Sequence, residues 1–214
     1  MIKNNKWILI ISSLLILFPI FFGLAFWNKL PEQMVIHWGI DGVADGFSNR
    51  SFVVFSLPLF ILLLHWFCIL ITYKDPKTEE QNTRVFNIIF WICPIISLFA
   101  NGIIYATALG KEFNVGTLIL LFVGSMFVII GNYLPECKQN HTIGIRIKWT
   151  LENEENWIAT HRMAGKLWIG GGILFCLGIF LPGSNFIWIL ISLSTILIVI
   201  PVVYSYIHNK KQIK

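Results

Sequence analysis

Six long apolar stretches, nearly free of charge, occupy most of this 214-residue chain and leave little sequence between them. A helix rising about 1.5 Å per residue needs about 20 such residues to cross roughly 30 Å of hydrocarbon. The stretches run from Trp7 to Trp27, Ser51 to Tyr73, Val85 to Leu109, Val115 to Leu134, Met163 to Leu181 and Asn185 to Ile207. With 56% hydrophobic and 13% charged residues, the chain lacks the polar surface that a water-soluble globule requires. The sequence therefore predicts an all-α polytopic membrane protein with six transmembrane helices. Lys166 is the one cation inside a stretch and must snorkel to the headgroups or meet a polar protein environment.

Details within the stretches refine this reading. Lys3 and Lys6 precede the first, as in a signal peptide, but the apolar run is longer than an h-region and has no small-x-small cleavage site, so it reads as an anchor. Pro58, Pro94 and Pro201 predict kinks whose freed carbonyls neighbouring helices can satisfy. Gly116, Gly124 and Gly131 in the fourth stretch, with Gly170, Gly171 and Gly172 in the fifth, predict close backbone approach between helices. Cys68, Cys93, Cys137 and Cys176 form no CxxC pair and read as reduced thiols.

Charge orients the chain. Assigning segments alternately to two sides, Lys3, Lys6, Lys74, Lys77, Arg84, Lys138, Arg146, Lys148, Arg162, Lys166, Lys210, Lys211 and Lys214 share one side, while Lys29, Arg50 and Lys111 take the other. Cytoplasmic loops retain positive charge, so both termini are expected in the cytoplasm. Residues 28–50 then face outward and residues 135–162 inward. The net charge of +5 is spread over short loops, which suits anionic headgroups of the bilayer rather than direct nucleic-acid binding.

The outer loop mixes turn formers with Pro31, Glu32, His37, Trp38, Asp41, Gly42 and Asp45. A compact turn explains these residues: glycines supply positive φ, aspartates cap local backbone and Trp38 lies at the interface. His37, Asp41 and Asp45 match no defined ligand spacing, so no metal and no cofactor is expected. In the inner loop, Thr150 is expected to cap a helix whose first turns carry Glu152, Glu154 and Glu155. Trp157, His161, Ala164 and Trp168 share one face of it, as interfacial anchors would, and His161 reads as a hydrogen-bonding structural residue before a ligand or catalyst.

Gly131, Asn132, Tyr133, Leu134 and Pro135, then Asn140, Gly144, Ile145, Arg146, Trp149, Thr150, Trp157, Thr160, His161, Arg162 and Gly165, strongly resemble the signature of the SdpI immunity-protein family. Leu30, Pro31 and Glu32 followed by His37, Gly42 and Asp45 look like the small domain of unknown function that often precedes it. Lys148 stands where the family pattern often has proline, so a different local turn is expected there. The resemblance implies two units, residues 1–75 with the outer loop and residues 76–214 with the signature loop. It also implies a non-enzymatic bacterial cell-membrane protein that protects its own cell from a secreted killing peptide. Such a protein further acts as a receptor that holds a helix-turn-helix autorepressor at the membrane. On that basis Pro31, Glu32, His37, Trp38, Asp41, Gly42 and Asp45 are candidates for toxin contact. Asn132, Pro135, Asn140, Gly144, Arg146, Trp149, Thr150, Trp157, Thr160, His161 and Gly165 are candidates for regulator contact.

Two rival classes remain. A transporter or membrane enzyme of unknown substrate would draw on His65, Asn101, Asn132 and Lys166, polar groups in or beside spans. No HExxH, GxSxG, phosphate loop or intramembrane carboxylate pair accompanies them. A structural or envelope-stress protein would use the glycine-rich helix faces to bind other membrane proteins.

Overall fold

A computed structural model of the chain describes residues 2–39, 42–77, 81–180 and 186–212. Its helices are α1 (Ile2–Ala25), α2 (Leu57–Lys74), α3 (Thr83–Ala108), α4 (Val115–Tyr133), the short α5 (Lys148–Glu152), α6 (Glu154–Leu177) and α7 (Phe186–Gln212). One turn of π-helix, Phe52–Ser56, leads into α2. Among the described residues, six helical stretches are long and apolar enough to cross a membrane, and each overlaps one of the six stretches expected from hydropathy. The expected span ends at Leu181 and Asn185 lie outside the described residues. Large apolar side chains such as Phe21, Phe60, Leu63, Phe67 and Trp188 are exposed on these helices, where a soluble protein would carry polar groups. The chain is a multi-pass membrane protein.

Two compact units emerge, one formed by residues 1–73 and 86–115, the other by residues 74–85 and 116–214. In the first, α2 runs antiparallel to α1. Ile8 and Leu9 pack near Ile69 and Tyr73, Ile16 near Ile61 and Leu62, and Phe22 near Val53 and Val54. Polar side chains fasten these helices where hydrocarbon offers no competing water. The Ser12 hydroxyl donates to the Leu9 carbonyl (3.0 Å), so at 2.9 Å it accepts from His65 Nε2. On α3, Ser97 donates to the Ile16 carbonyl (3.2 Å) and Tyr105 to the Pro19 carbonyl (2.9 Å).

The outer loop is an antiparallel hairpin, where the sequence suggested only a compact turn. Strand β1 (Gln33–Trp38) pairs with β2 (Ala44–Asn49), with register irregularities between Val35 and Trp38. Gly42 turns the chain with φ of +77°, a conformation that costs a residue with a Cβ. Met34 anchors the hairpin by inserting among Leu30, Val53, Val54, Ile104 and Tyr105.

In the second unit, α4 and α6 cross through paired glycines. A methyl added at Gly124 would stand 2.6 Å from the Gly172 carbonyl oxygen, and one at Gly131 would stand 2.9 Å from that of Gly165. The pairs lie seven residues apart on both helices, two turns, so one seam repeats the same contact. Leu197 of α7 fills the notch over Gly171. Pro201 cannot donate to the Leu197 carbonyl one turn earlier. The Trp168 indole N–H donates to it instead, at 2.9 Å.

Candidate functional site: the signature loop and the hairpin

The signature loop is built around polar side chains that bond to the backbone. Asn140, fully buried, accepts from the amides of Thr142 (2.8 Å) and Ile143 (2.6 Å) and donates to the carbonyls of Lys138 and Ile143 (both 2.9 Å). These bonds wind residues 138–143 into a tight turn. Thr150 lies within α5 and does not cap α6. Its hydroxyl accepts from the Ile147 amide (3.1 Å) and lies 2.7 Å from the Ile145 carbonyl, while Gln139 donates to the Thr150 and Leu151 carbonyls at the far end. Lys148, at the position where proline is common in the resembling pattern, opens this helix.

Helix α6 starts instead at Asn153, whose side chain accepts from the Asn156 amide at 2.9 Å. An extended residue between two helices is the natural N-cap, and Glu154 and Glu155 follow it in the first turn. From there α6 continues without interruption into the fifth span.

Trp157, expected at headgroup level, is completely buried. Its indole N–H donates to the Cys137 carbonyl at 2.7 Å, and its ring stacks on His161 at 4.1 Å. His161 Nε2 faces the Ile145 amide at 2.9 Å and must accept there, so Nδ1 carries the proton and donates to the Trp157 carbonyl at 2.8 Å. Neither ring nitrogen is left over. Gly144 makes room for this contact with φ of +105°; a methyl there would stand 2.5 Å from Nε2.

Asn156 and Thr160 lie on the same buried face. Thr160 and Ser205 of α7 both donate to Asn156 Oδ1, at 2.9 and 2.7 Å, and Asn156 Nδ2 donates to the Ser205 carbonyl at 2.9 Å. Gly165 is buried at the α4 crossing, and Trp149 is half-buried against Tyr206, with ring centroids 5.0 Å apart. Asn132, Pro135 and Arg146 are exposed, with Arg146 donating to the His141 carbonyl at 2.6 Å.

Sequence reasoning missed the partner of this loop, the segment between α2 and α3. Asp75 accepts from the Lys77 amide (3.0 Å), the His141 amide (2.7 Å) and the Thr142 hydroxyl (3.2 Å). Burial pushes its acidity the other way, but these bonds prevail and hold the carboxyl below its usual value. Gln81 pairs with the Lys138 backbone in both directions (2.7 and 3.1 Å), and Asn82 donates to Glu136 at 2.7 Å. Burial also pushes the Cys137 thiol up to about 12, despite the Asn140 side chain pointing at it. Polar residues in a short connection carry no spacing that announces such a role.

On the hairpin, Pro31, Glu32, His37 and Asp45 are exposed, and His37 Nδ1 lies 2.6 Å from Asp45 Oδ1. Glu32 accepts the Arg50 amide through its carbonyl at 2.8 Å. Trp38 is half-buried against the cluster around Met34, and Gly42 forms the tip. Asp41 lies outside the described residues. Arg50, which drew no attention in the sequence beyond its charge, donates to the Trp27 and Leu30 carbonyls (2.7 and 2.9 Å) and covers the Trp27 ring at 4.3 Å. Among the described residues no three His, Cys, Asp or Glu side chains converge as a ligand set.

Residues 136–205 match the family model described as the SdpI/YfhL protein family, and residues 14–62 match a domain of unknown function (DUF1648). The immunity protein SdpI of Bacillus subtilis (strain 168) is 27% identical over 208 residues, covering 94% of this chain and 96% of the relative. No solved structure matches. In its signature region, in the domain before it and from end to end, the chain is thus similar to proteins of the SdpI/YfhL family.

Proposed function

We propose that this chain is an immunity protein of the cell membrane, conferring resistance to a secreted antimicrobial peptide. The observation that carries this reading is the likeness to an immunity protein over nearly the full length of both chains, spans and connecting loops included. In this reading both termini are cytoplasmic, as the distribution of lysine and arginine favours. The hairpin, with exposed Pro31, Glu32, His37 and Asp45, then meets the peptide outside. The signature loop faces the cytoplasm and is the part available to a helix-turn-helix autorepressor, giving the protein a second role as receptor.

The test is expression in a peptide-sensitive host, with membrane potential followed during exposure to the killing peptide. Maintained potential supports immunity; collapse at the same peptide dose as in the empty host overturns it. Co-expression with a fluorescent repressor examines the second role, which fails if peptide leaves the repressor on the nucleoid.

A further inference from the structure

The hairpin has two faces of different character, set by the alternation of side chains along its strands. Met34, paired with Ser48, points into the cluster of Leu30, Val53, Val54, Ile104 and Tyr105, and Trp38 packs against the same cluster. That cluster lies where α1 and α3 end and the turn before α2 begins, so this face rests on the helix ends. Val35 and Phe47 pair one step further along and therefore share the opposite face, which points away from the helices. On β2 every second residue is exposed, namely Asp45, Phe47 and Asn49, and exposed Gln33 stands opposite Asn49. The outward face is thus an apolar pair, half-buried Val35 and 56% exposed Phe47, between the His37–Asp45 contact at one end and two amides at the other.

Charge on the hairpin has one sign. From Pro31 to Asn49 the sequence holds Glu32, Asp41 and Asp45 and no lysine or arginine, within a chain whose net charge is +5. The cations that flank it are turned to its base: Arg50 donates to the Trp27 and Leu30 carbonyls and covers the Trp27 ring, and Lys29 lies 5.6 Å from the centre of the Phe26 ring. Lys111, on the connection after α3, is followed directly by Glu112. An anionic partner is therefore repelled, and a purely apolar one would strip water from the Asp45 carboxylate without replacing it. A peptide carrying lysine or arginine next to an apolar side chain meets both demands, the apolar group covering Phe47 and Val35 while the cation reaches Asp45. We infer that the outward hairpin face is a docking surface for a cationic, apolar peptide segment, with Phe47 as its central contact and Asp45 as its charge partner. This rests on the reading that the hairpin meets a secreted peptide, and it adds the chemistry of that peptide and the residue at the centre of the contact.

Fluorescence anisotropy with the full-length protein in phosphatidylcholine nanodiscs tests this. The probes are a short labelled peptide alternating lysine with phenylalanine and a counterpart with glutamate in place of lysine. The lysine peptide should bind protein-containing discs above empty ones, and more tightly as salt is lowered. Phe47→Ser should weaken it by about tenfold or more, the loss expected when an aromatic ring is no longer removed from water on binding. Asp45→Asn should weaken it by about threefold and flatten the salt dependence. Equal binding of the glutamate peptide overturns the proposal, as does binding no greater than to empty discs, which places the probe on the bilayer. A folded Phe47→Ser variant that binds as before also overturns it; should that variant not fold, an unchanged salt dependence in Asp45→Asn does the same. So does a dimer in mild detergent that Phe47→Ser separates, because a second copy then covers this face. The immunity reading is judged separately by membrane potential in the sensitive host: protection without binding in the discs sinks the docking surface alone, and binding without protection sinks the immunity reading.

Discussion

The crossing of α4 and α6 offers the sharpest test of how this fold is held together. In Gly172→Ala the new methyl would lie 2.5 Å from the Gly124 carbonyl oxygen and 2.9 Å from the Val128 amide nitrogen, against the 3.4 Å at which ordinary contact begins. Both obstacles are backbone, so no side-chain rotation relieves them and α4 itself must shift by most of an ångström. Overpacking of this kind costs about 1–3 kcal/mol, and alanine's helical preference over glycine returns about 0.5–1 kcal/mol of it. A net loss of about 1–2 kcal/mol is expected, roughly a 5- to 30-fold fall in the folded-to-unfolded ratio. Gly170→Ala is the control, because nothing lies within 4 Å of the added methyl. There only the propensity gain acts, and stability should be unchanged or raised by about 0.5 kcal/mol. Reversible unfolding by sodium dodecyl sulfate in mixed micelles, followed by tryptophan fluorescence, measures both. If Gly172→Ala proves as stable as Gly170→Ala, the helices are not in contact at this seam and the packing argument is refuted.

Four other changes probe the signature loop. His161→Phe keeps the stack on Trp157 but removes the acceptor of the Ile145 amide, so it should cost about 1–3 kcal/mol and speed proteolysis within residues 138–150. Gly144→Ala adds a methyl against His161 Nε2 in a left-handed conformation, and a loss of about 2–4 kcal/mol by the same unfolding assay is expected. The Asp75 carboxyl is held below its ordinary 3.8, so its contribution is complete above that value and fades as pH falls through the lower folded one. Protease resistance of the loop should drop over that acid range in the unaltered protein, whereas Asp75→Asn should show a weaker loop with no such dependence. With Cys68, Cys93 and Cys176 replaced by serine, Cys137 should resist maleimide at neutral pH until the protein is unfolded, since burial keeps its thiol protonated.

Hydropathy locates the six spans because a run of about 20 apolar residues has few other uses, and the glycines of the fourth and fifth stretches announce a close crossing through their lack of side chains. What remains hidden depends on pairings between distant segments. Nothing near Asp75 or Gln81 in the sequence points to residues 138–142, more than fifty positions away, yet the bonds between them hold the loop in place. Thr150 and Asn153 are both good capping residues three positions apart, and local preference alone does not choose between them. The short helix α5 decides it by enclosing Thr150 and leaving Asn153 extended at the start of α6. Trp157 shows the same limit: a tryptophan near a span suits the headgroup region, and only the carbonyl of Cys137, twenty residues earlier, turns it inward.

That inward turn alters how the signature residues bear on function. Asn140, Thr150, Trp157, Thr160 and His161 are buried with their polar atoms bonded inside the unit, and Gly144 and Gly165 serve as space for neighbours. A side chain engaged in this way cannot also be offered to a partner without taking the loop apart. Substitutions at those seven positions would therefore weaken any activity by loosening the loop, and loss of function there does not by itself report contact. Asn132, Pro135 and Arg146 differ: they are exposed, and Arg146 donates one bond to the His141 carbonyl. A regulator reading this face has those residues to recognise, together with the exposed Lys138 and Lys148. The separation between folding and recognition is thus made by burial, and Arg146→Ala with unaltered unfolding but lost repressor recruitment is the pattern that contact would produce.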